Sequence, residues 1–257
     1  MSEQVDPDPQ PFVSVIVAAL NEEEAIAQVI REIPRDVADE IIVVDNGSTD
    51  RTAEVARTAG ALIVHEPNRG YGRAFRAGLG IVSPRCKIVV LLDGDGSDYP
   101  EVMDHLVQPI AAGTHDFVIS SRTRGRREHG SMNFHQVFAG YMVGWILRAL
   151  YGVQFSDMGP FRAIRRDALE RLHLCEETYG WPLEMQMKAA RSRLRILEVP
   201  VDYRRRAGGD SKIAGTVVGS IKAAARILFT LARIAVQRPH SSVEHKRQVT
   251  TDETPER

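Results

Sequence analysis

The chain has 257 residues, of which 43% are hydrophobic and 26% charged, with a formal net charge of -1. That is enough for one large domain or two small ones. The balance is that of a soluble globular protein, with no overall basic charge to recommend nucleic acid as a partner. Its two cysteines, Cys86 and Cys175, lie far apart in no metal-ligand spacing, which fits a reducing, cytoplasmic compartment.

Residues 1–11 are acidic and Pro-rich, without the apolar core of a signal peptide, and are expected to be disordered. Phe12 to Val17 reads as a strand, and Asn21 is expected to cap a helix that Pro34 stops. Glu40 to Val44 is a second strand. Thr49 or Asp50 opens a second helix that closes near Gly60. Ala61 to His65, Lys87 to Leu92 and His115 to Ser121 read as further strands. A helix is expected from Tyr71 to Gly80, and Pro100 suits the first turn of another. Strands of Val and Ile alternating with helices predict an α/β fold, with a mostly parallel central sheet covered on both faces.

The second half is less regular. Ser131 to Tyr151 is helical and aromatic, Phe161 to Ile164 a short strand, Tyr179 to Arg191 a helix, and Leu194 to Tyr203 extended. No run reaches the roughly 18 uncharged apolar residues of a spanning helix. Phe134 to Leu147 comes nearest, and it is shorter and contains His135 and Gln136. A last helix, 215–236, carries Val217, Ile221, Leu228 and Leu231 on one side and Lys222, Arg226 and Arg233 on another. Such a helix can lie on an anionic membrane surface or pack its apolar side on the domain; both readings stand. Residues 237–257 are polar, aperiodic and expected to be a disordered tail.

The chemistry concentrates where strands end. Val89-Val90-Leu91-Leu92 empties into Asp93-Gly94-Asp95-Gly96-Ser97. Two carboxylates at one strand end repel each other unless a cation or hydrogen bonds compensate. Residues i and i+2 share a strand face roughly 7 Å apart, so one Asp can hold a divalent ion while the other reaches a ribose or a second ligand. Leu20 to Glu22 and Asp45 to Ser48 also fall at strand ends, where ligands of such sheets bind. Glu22 and Asp45 are acceptors suited to a nucleobase or ribose, and Gly47 permits close backbone approach. The glycines of Asn68-Arg69-Gly70-Tyr71-Gly72 lack dinucleotide-fingerprint spacing, and no phosphate loop of the Gly-Lys-Ser/Thr type occurs.

In order along the chain stand Ala19-Leu20-Asn21-Glu22-Glu23, Asp45-Asn46-Gly47-Ser48-Thr49-Asp50, Asp93-Gly94-Asp95 and Asp157-Met158-Gly159-Pro160-Phe161-Arg162. Glu198-Val199-Pro200-Val201 and Gly209-Asp210-Ser211-Lys212 follow. This ordered set resembles the family 2 glycosyltransferases, and within them the dolichol-phosphate mannosyltransferase-like enzymes. The resemblance implies a GT-A nucleotide-sugar-binding fold over 12–236. It would comprise a nucleotide-binding half at 12–122, an acceptor half at 123–214 and the amphipathic helix. It implies that Ala18, Leu20, Glu22 and Asp45 contact the nucleoside, with Asp93 and Gly94 near the ribose; Gly47 joins the nucleotide-sugar site as the position of close backbone approach. Asp95 would ligate Mg²⁺ or Mn²⁺, with Asp93 and Ser97 as further metal candidates. Arg122, Arg206 and Lys212 would serve the reaction alongside Asp95. Ala18 stands where the family commonly has proline, and Met158-Gly159-Pro160 where it commonly has Thr-Gly-Gly.

The implied partners are a UDP- or GDP-sugar donor and a polyprenyl phosphate acceptor, with no nucleic acid. The implied activity is metal-dependent, inverting transfer of glucose or mannose, in the cytoplasm or on the cytoplasmic face of the membrane. A hydroxyl on a soluble acceptor is the alternative, for which Glu184 is the candidate base. A non-catalytic nucleotide-sugar-binding module is a third reading.

Overall fold

A computed structural model describes residues 10–207 and Arg233, with the backbone alone for residues 134–136. The expected N-terminal segment (apart from Gln10 and Pro11), Lys212, helix 215–236 (apart from Arg233) and the tail 237–257 lie outside the described residues.

Seven strands form one sheet: β1 Val13–Ala19, β2 Glu40–Asp45, β3 Leu62–His65, β4 Ile88–Asp93, β5 Phe117–Ser121, β6 Arg162–Arg165 and β7 Ile196–Pro200. Their spatial order is β3-β2-β1-β4-β6-β5-β7. All neighbouring pairs are parallel except those made by β6, which runs antiparallel to both β4 and β5. The α/β reading is therefore borne out, as is its mostly parallel sheet.

Alternating side chains of each strand feed two separate cores. Val15 and Val17 of β1, with Ile88, Val90 and Leu92 of β4, pack under α1 (Ile26–Glu32), α2 (Thr52–Thr58) and α4 (Met103–Ala111). Ile16, Val89 and Leu91 face the other way, toward α3 (Tyr71–Leu79), α5 (Phe134–Tyr151), α6 (Arg166–Arg171) and α7 (Trp181–Arg191). Most of these side chains are fully buried. Each contributes about 1.5–3 kcal/mol relative to exposure, which is why continuous Val/Ile runs settle in the middle of a two-faced sheet.

Two local expectations are corrected, and one helix stands where none was expected. Asn21 does not cap α1, which begins after Ala25. Asn21 instead takes a left-handed φ of 52°, and its side chain accepts from the Thr49 N–H at 2.8 Å, tying the β1 and β2 loops together. Helix α2 begins at Thr52, beyond both expected openers, although Asp50 still accepts its first N–H at 3.0 Å. The short helix α6 carries no apolar stripe long enough to be read in advance; it exists because Ala168 and Leu169 seat on the sheet.

Strand order places the functional loops. β1 and β4 are neighbours, yet β1 leads on to β2 on one side of the pair and β4 to β5 on the other, which opens a crevice at their carboxyl ends. There Ala18 pairs in register with Asp93, and the Gly94 N–H donates to the Ala18 carbonyl at 2.9 Å. Because β6 is antiparallel, its leading segment Asp157–Pro160 arrives at that same end. Gly159 is required on this approach: a Cβ there would overlap the Ser120 carbonyl.

Candidate functional site

The crevice is a cleft of about 1010 Å³. Of the residues expected in a site, Ala18, Leu20, Glu22, Asp93, Gly94, Asp95, Ser97, Arg122 and Arg206 all line it. Asp45 and Gly47 stand outside that lining, behind Asn46. Asp45 is 8% exposed, accepts from the Ser48 N–H at 2.9 Å and lies 3.1 Å from His65 Nδ1. Gly47 holds a φ of 79°, a left-handed turn that favours glycine. Lys212 is outside the described residues.

The acidic floor comes first. Asp93 is pinned by the Tyr71 hydroxyl, which donates to its Oδ1 at 2.8 Å from the first residue of α3. Asp95 Oδ1 accepts from the Ser97 N–H at 2.9 Å, and Oδ2 accepts from Arg206 Nη2 at 2.6 Å. Burial, then repulsion from Asp95, pushes the Asp93 carboxyl up to about 7. Below them sits Asp98, 2% exposed, with neither carboxylate oxygen partnered among the described residues. Burial, then Asp93 and Asp95, raises it well above the usual carboxylate range. The floor thus holds more anionic capacity than its own hydrogen bonds satisfy.

Hard oxygen donors of this kind fit a divalent cation. Among the described residues no three His, Cys, Asp or Glu side chains converge to hold an ion unaided. Asp93 and Asp95 are the carboxylates of the floor that would hold such an ion.

Above the floor are arginines. Arg122 is held by Asp157 through Nε at 2.7 Å and Nη2 at 2.8 Å, with its own backbone N–H also on Oδ2 at 3.0 Å. Its guanidinium lies 5.0 Å from the Tyr203 ring centroid. Burial opposes charge on both partners, yet the pair prevails: Asp157 stays below the usual carboxylate range and Arg122 above its ordinary value. Glu198 supports this arrangement by accepting the Ser156 N–H at 2.8 Å, next to Asp157. The stretch carrying Arg206 is fastened to the acidic loop, with Arg204 N–H on the Ser97 carbonyl at 3.0 Å and Ala207 N–H on the Asp95 carbonyl at 3.1 Å.

Sequence reasoning missed Tyr71, Asp98, Arg162 and Tyr203. Arg162 is 2% exposed and its guanidinium bonds backbone carbonyls, Pro182 at 3.3 Å and Gly159, with no carboxylate hydrogen bond among the described residues. Burial lowers its pKa to about 10. Tyr71 and Tyr203 matter through Asp93 and Arg122, partners distant in the chain, whereas Asp98 follows the acidic pair and Arg162 ends the Asp157–Arg162 motif, and it is their burial that local pattern does not show. Glu184 is corrected: it is fully buried and structural. It accepts the N–H groups of Cys175 and Glu176 at 3.0 and 2.6 Å and pairs with Lys188 at 2.9 Å.

An acidic crevice at the β1–β4 switch point, faced by arginines on an α/β sheet, is the architecture of the GT-A glycosyltransferases. Residues 14–173 match the model of glycosyl transferase family 2, and the chain belongs to that family. It is 37% identical over 211 residues to an uncharacterised glycosyltransferase of Mycobacterium tuberculosis, covering 81% of this chain and 93% of that one. It is 31% identical over 224 residues to the undecaprenyl-phosphate mannosyltransferase of Micrococcus luteus, covering 80% and 89%. Among solved structures it resembles M. tuberculosis glucosyl-3-phosphoglycerate synthase in complex with Mn²⁺, UDP-glucose and phosphoglyceric acid. The TM-score is 0.68 and the identity 26%, covering 86% of this chain and 80% of that one. The chain is a glycosyltransferase.

Proposed function

We propose that the protein transfers glucose or mannose, with inversion, from a UDP- or GDP-sugar to a polyprenyl phosphate. The observation that carries this reading is the make-up of the cleft's acceptor side. Among its described lining residues from Arg122 onward are Arg122, Arg205 and Arg206, and no carboxylate or imidazole. A phosphate acceptor is already anionic at pH 7 and needs no base to become a nucleophile. It does need cations to approach a diphosphate of like charge. The undecaprenyl-phosphate substrate in the name of the M. luteus relative supports the same choice.

In this reading Ala18, Leu20, Glu22, Asp45 and Gly47 shape the nucleoside site, Asp45 and Gly47 by holding the loop that carries Asn46. Asp93 and Gly94 face the ribose. Asp93 and Asp95 would hold Mg²⁺ or Mn²⁺, with Ser97 placing Asp95 through its backbone; the ion would neutralise charge on the leaving nucleoside diphosphate. Arg122, fixed in place by Asp157, presents its charge to the anionic substrates, and Arg206, with Lys212, joins it. The protein would work at the cytoplasmic membrane face.

A soluble, phosphate-bearing acceptor is the second reading, favoured by the phosphoglyceric acid in the similar solved structure. The experiment offers labelled UDP-glucose and GDP-mannose with undecaprenyl phosphate in detergent, and separately with phosphoglycerate. An organic-extractable, acid-labile product is expected. Product confined to the aqueous phase with phosphoglycerate would overturn the lipid acceptor and establish the second reading.

A pH dependence follows from Asp93. A carboxylate must lose its proton to take a cation, so Mn²⁺ affinity should climb with pH up to about 7 and level off above it. In the metal-free protein the sign is the reverse. A carboxyl raised on folding stabilises fully below its unfolded value, and that contribution is lost as pH rises toward 7. Calorimetric Mn²⁺ titrations between pH 5.5 and 8.5 check this, and a flat affinity profile would remove Asp93 from the ion's ligands.

A further inference from the structure

Helix α5 has two unlike faces. Gly140, Val143, Gly144 and Leu147 turn inward, and Gly144 sits so close that a Cβ would overlap the Phe155 carbonyl. On the opposite side, at spacings of three and four, Phe138, Tyr141, Met142 and Trp145 are exposed, Trp145 to 73%. An unbroken apolar stripe of this kind is more than scattered surface hydrophobicity. No Asp or Glu occurs anywhere in α5, and exposed Arg148 continues the stripe. The loop just before the helix carries exposed Arg124, Arg126 and Arg127, and one acid, Glu128, already accepting the Arg205 N–H.

Two observations decide the occupant. A two-fold contact with a second copy sets a patch against itself, so an acid-free, arginine-flanked stripe would meet only its own charge. An anionic lipid surface offers the complement, and Trp and Tyr favour the bilayer interface, where an apolar body and a polar edge are both satisfied. The stripe is also continuous with the cleft, because Gly130, Ser131 and Asn133 line the cleft and lead directly into α5. Among the described residues no helix is long and apolar enough to cross a membrane.

We propose that the exposed face of α5 docks the protein on an anionic bilayer and brings the cleft mouth to the headgroup layer. This rests on the lipid-acceptor reading for its purpose, though not for its test. The chain contains two tryptophans, and Trp181 is 1% exposed and stacked on Phe75, so Trp145 reports the surface. Vesicles of phosphatidylglycerol and phosphatidylcholine should shift the emission to the blue and shield it from iodide. The pair Phe138→Ser and Trp145→Ser should weaken vesicle co-sedimentation at least about tenfold while retaining the thermal shift produced by donor nucleotide. Wild-type emission unmoved by vesicles, or co-sedimentation equal in the variant, would overturn the proposal. Blue emission without vesicles in a protein of doubled mass would also overturn it, in favour of a second copy. Vesicle binding without transfer to detergent-solubilised polyprenyl phosphate leaves docking standing and removes the lipid acceptor. Transfer without vesicle binding does the converse.

Discussion

Replacing Asp95 by Ala is expected to lower kcat/KM by about a hundred- to a thousandfold while leaving the fold intact. Asp95 is fastened on one oxygen by the Ser97 N–H and on the other by Arg206, at the cleft floor beside Asp93. Its removal deletes half of the anionic pair that would hold a cation against the diphosphate. It also frees Arg206 from its partner at 2.6 Å. Stability of the metal-free protein should scarcely fall, because repulsion of Asp93 and Asp98 is relieved at the same time. Steady-state kinetics with Mn²⁺ and donor at fixed acceptor, together with calorimetric Mn²⁺ affinity, check this. A variant within tenfold of the wild type on both would remove the metal–diphosphate reading of the site.

Asp157→Ala should strike stability and catalysis together. Asp157 is 2% exposed and holds Arg122 through both carboxylate oxygens, while Gln186 anchors its backbone carbonyl at 2.9 Å. Truncation leaves a buried guanidinium without its partner, a loss of about 3–5 kcal/mol, which lowers Tm by roughly 6–20 °C in a protein of this size. The Asp157 pKa is depressed by Arg122, so the pair's contribution is present above the unfolded carboxylate value and lost in acid; the deficit of the variant should shrink there. Activity should also drop, since the Arg122 charge is no longer aimed. The double variant Asp157→Leu with Arg122→Met separates the two effects. It should recover much of the stability and none of the activity. Recovery of transfer in that variant would show that Arg122 has no role beyond packing.

Much of the fold was readable along the chain because its signals are local. Val/Ile runs of strand length alternate with helical spacing, and Pro34, Gly60 and Pro100 mark ends whatever the rest of the molecule does. The acidic pair was readable for a related reason: a buried strand that ends in Asp93-Gly94-Asp95 has no packing purpose. Asn21 failed as a cap for the opposite reason. Its side chain is engaged by a loop 28 residues away, a partner that no local rule contains.

Sequence by itself determined the class of the sheet, the strand-end position of the acids and the family to which the chain belongs, since these follow from periodicity and short motifs. Tertiary structure alone decided that β6 runs antiparallel and delivers Asp157 to Arg122. It also buried Asp98 and Arg162 beneath the cleft and turned Glu184 into a staple. It set the aromatic stripe of α5 outward. The reason is physical: a side chain's charge state and availability depend on what is packed around it, and those neighbours are brought together by strand order.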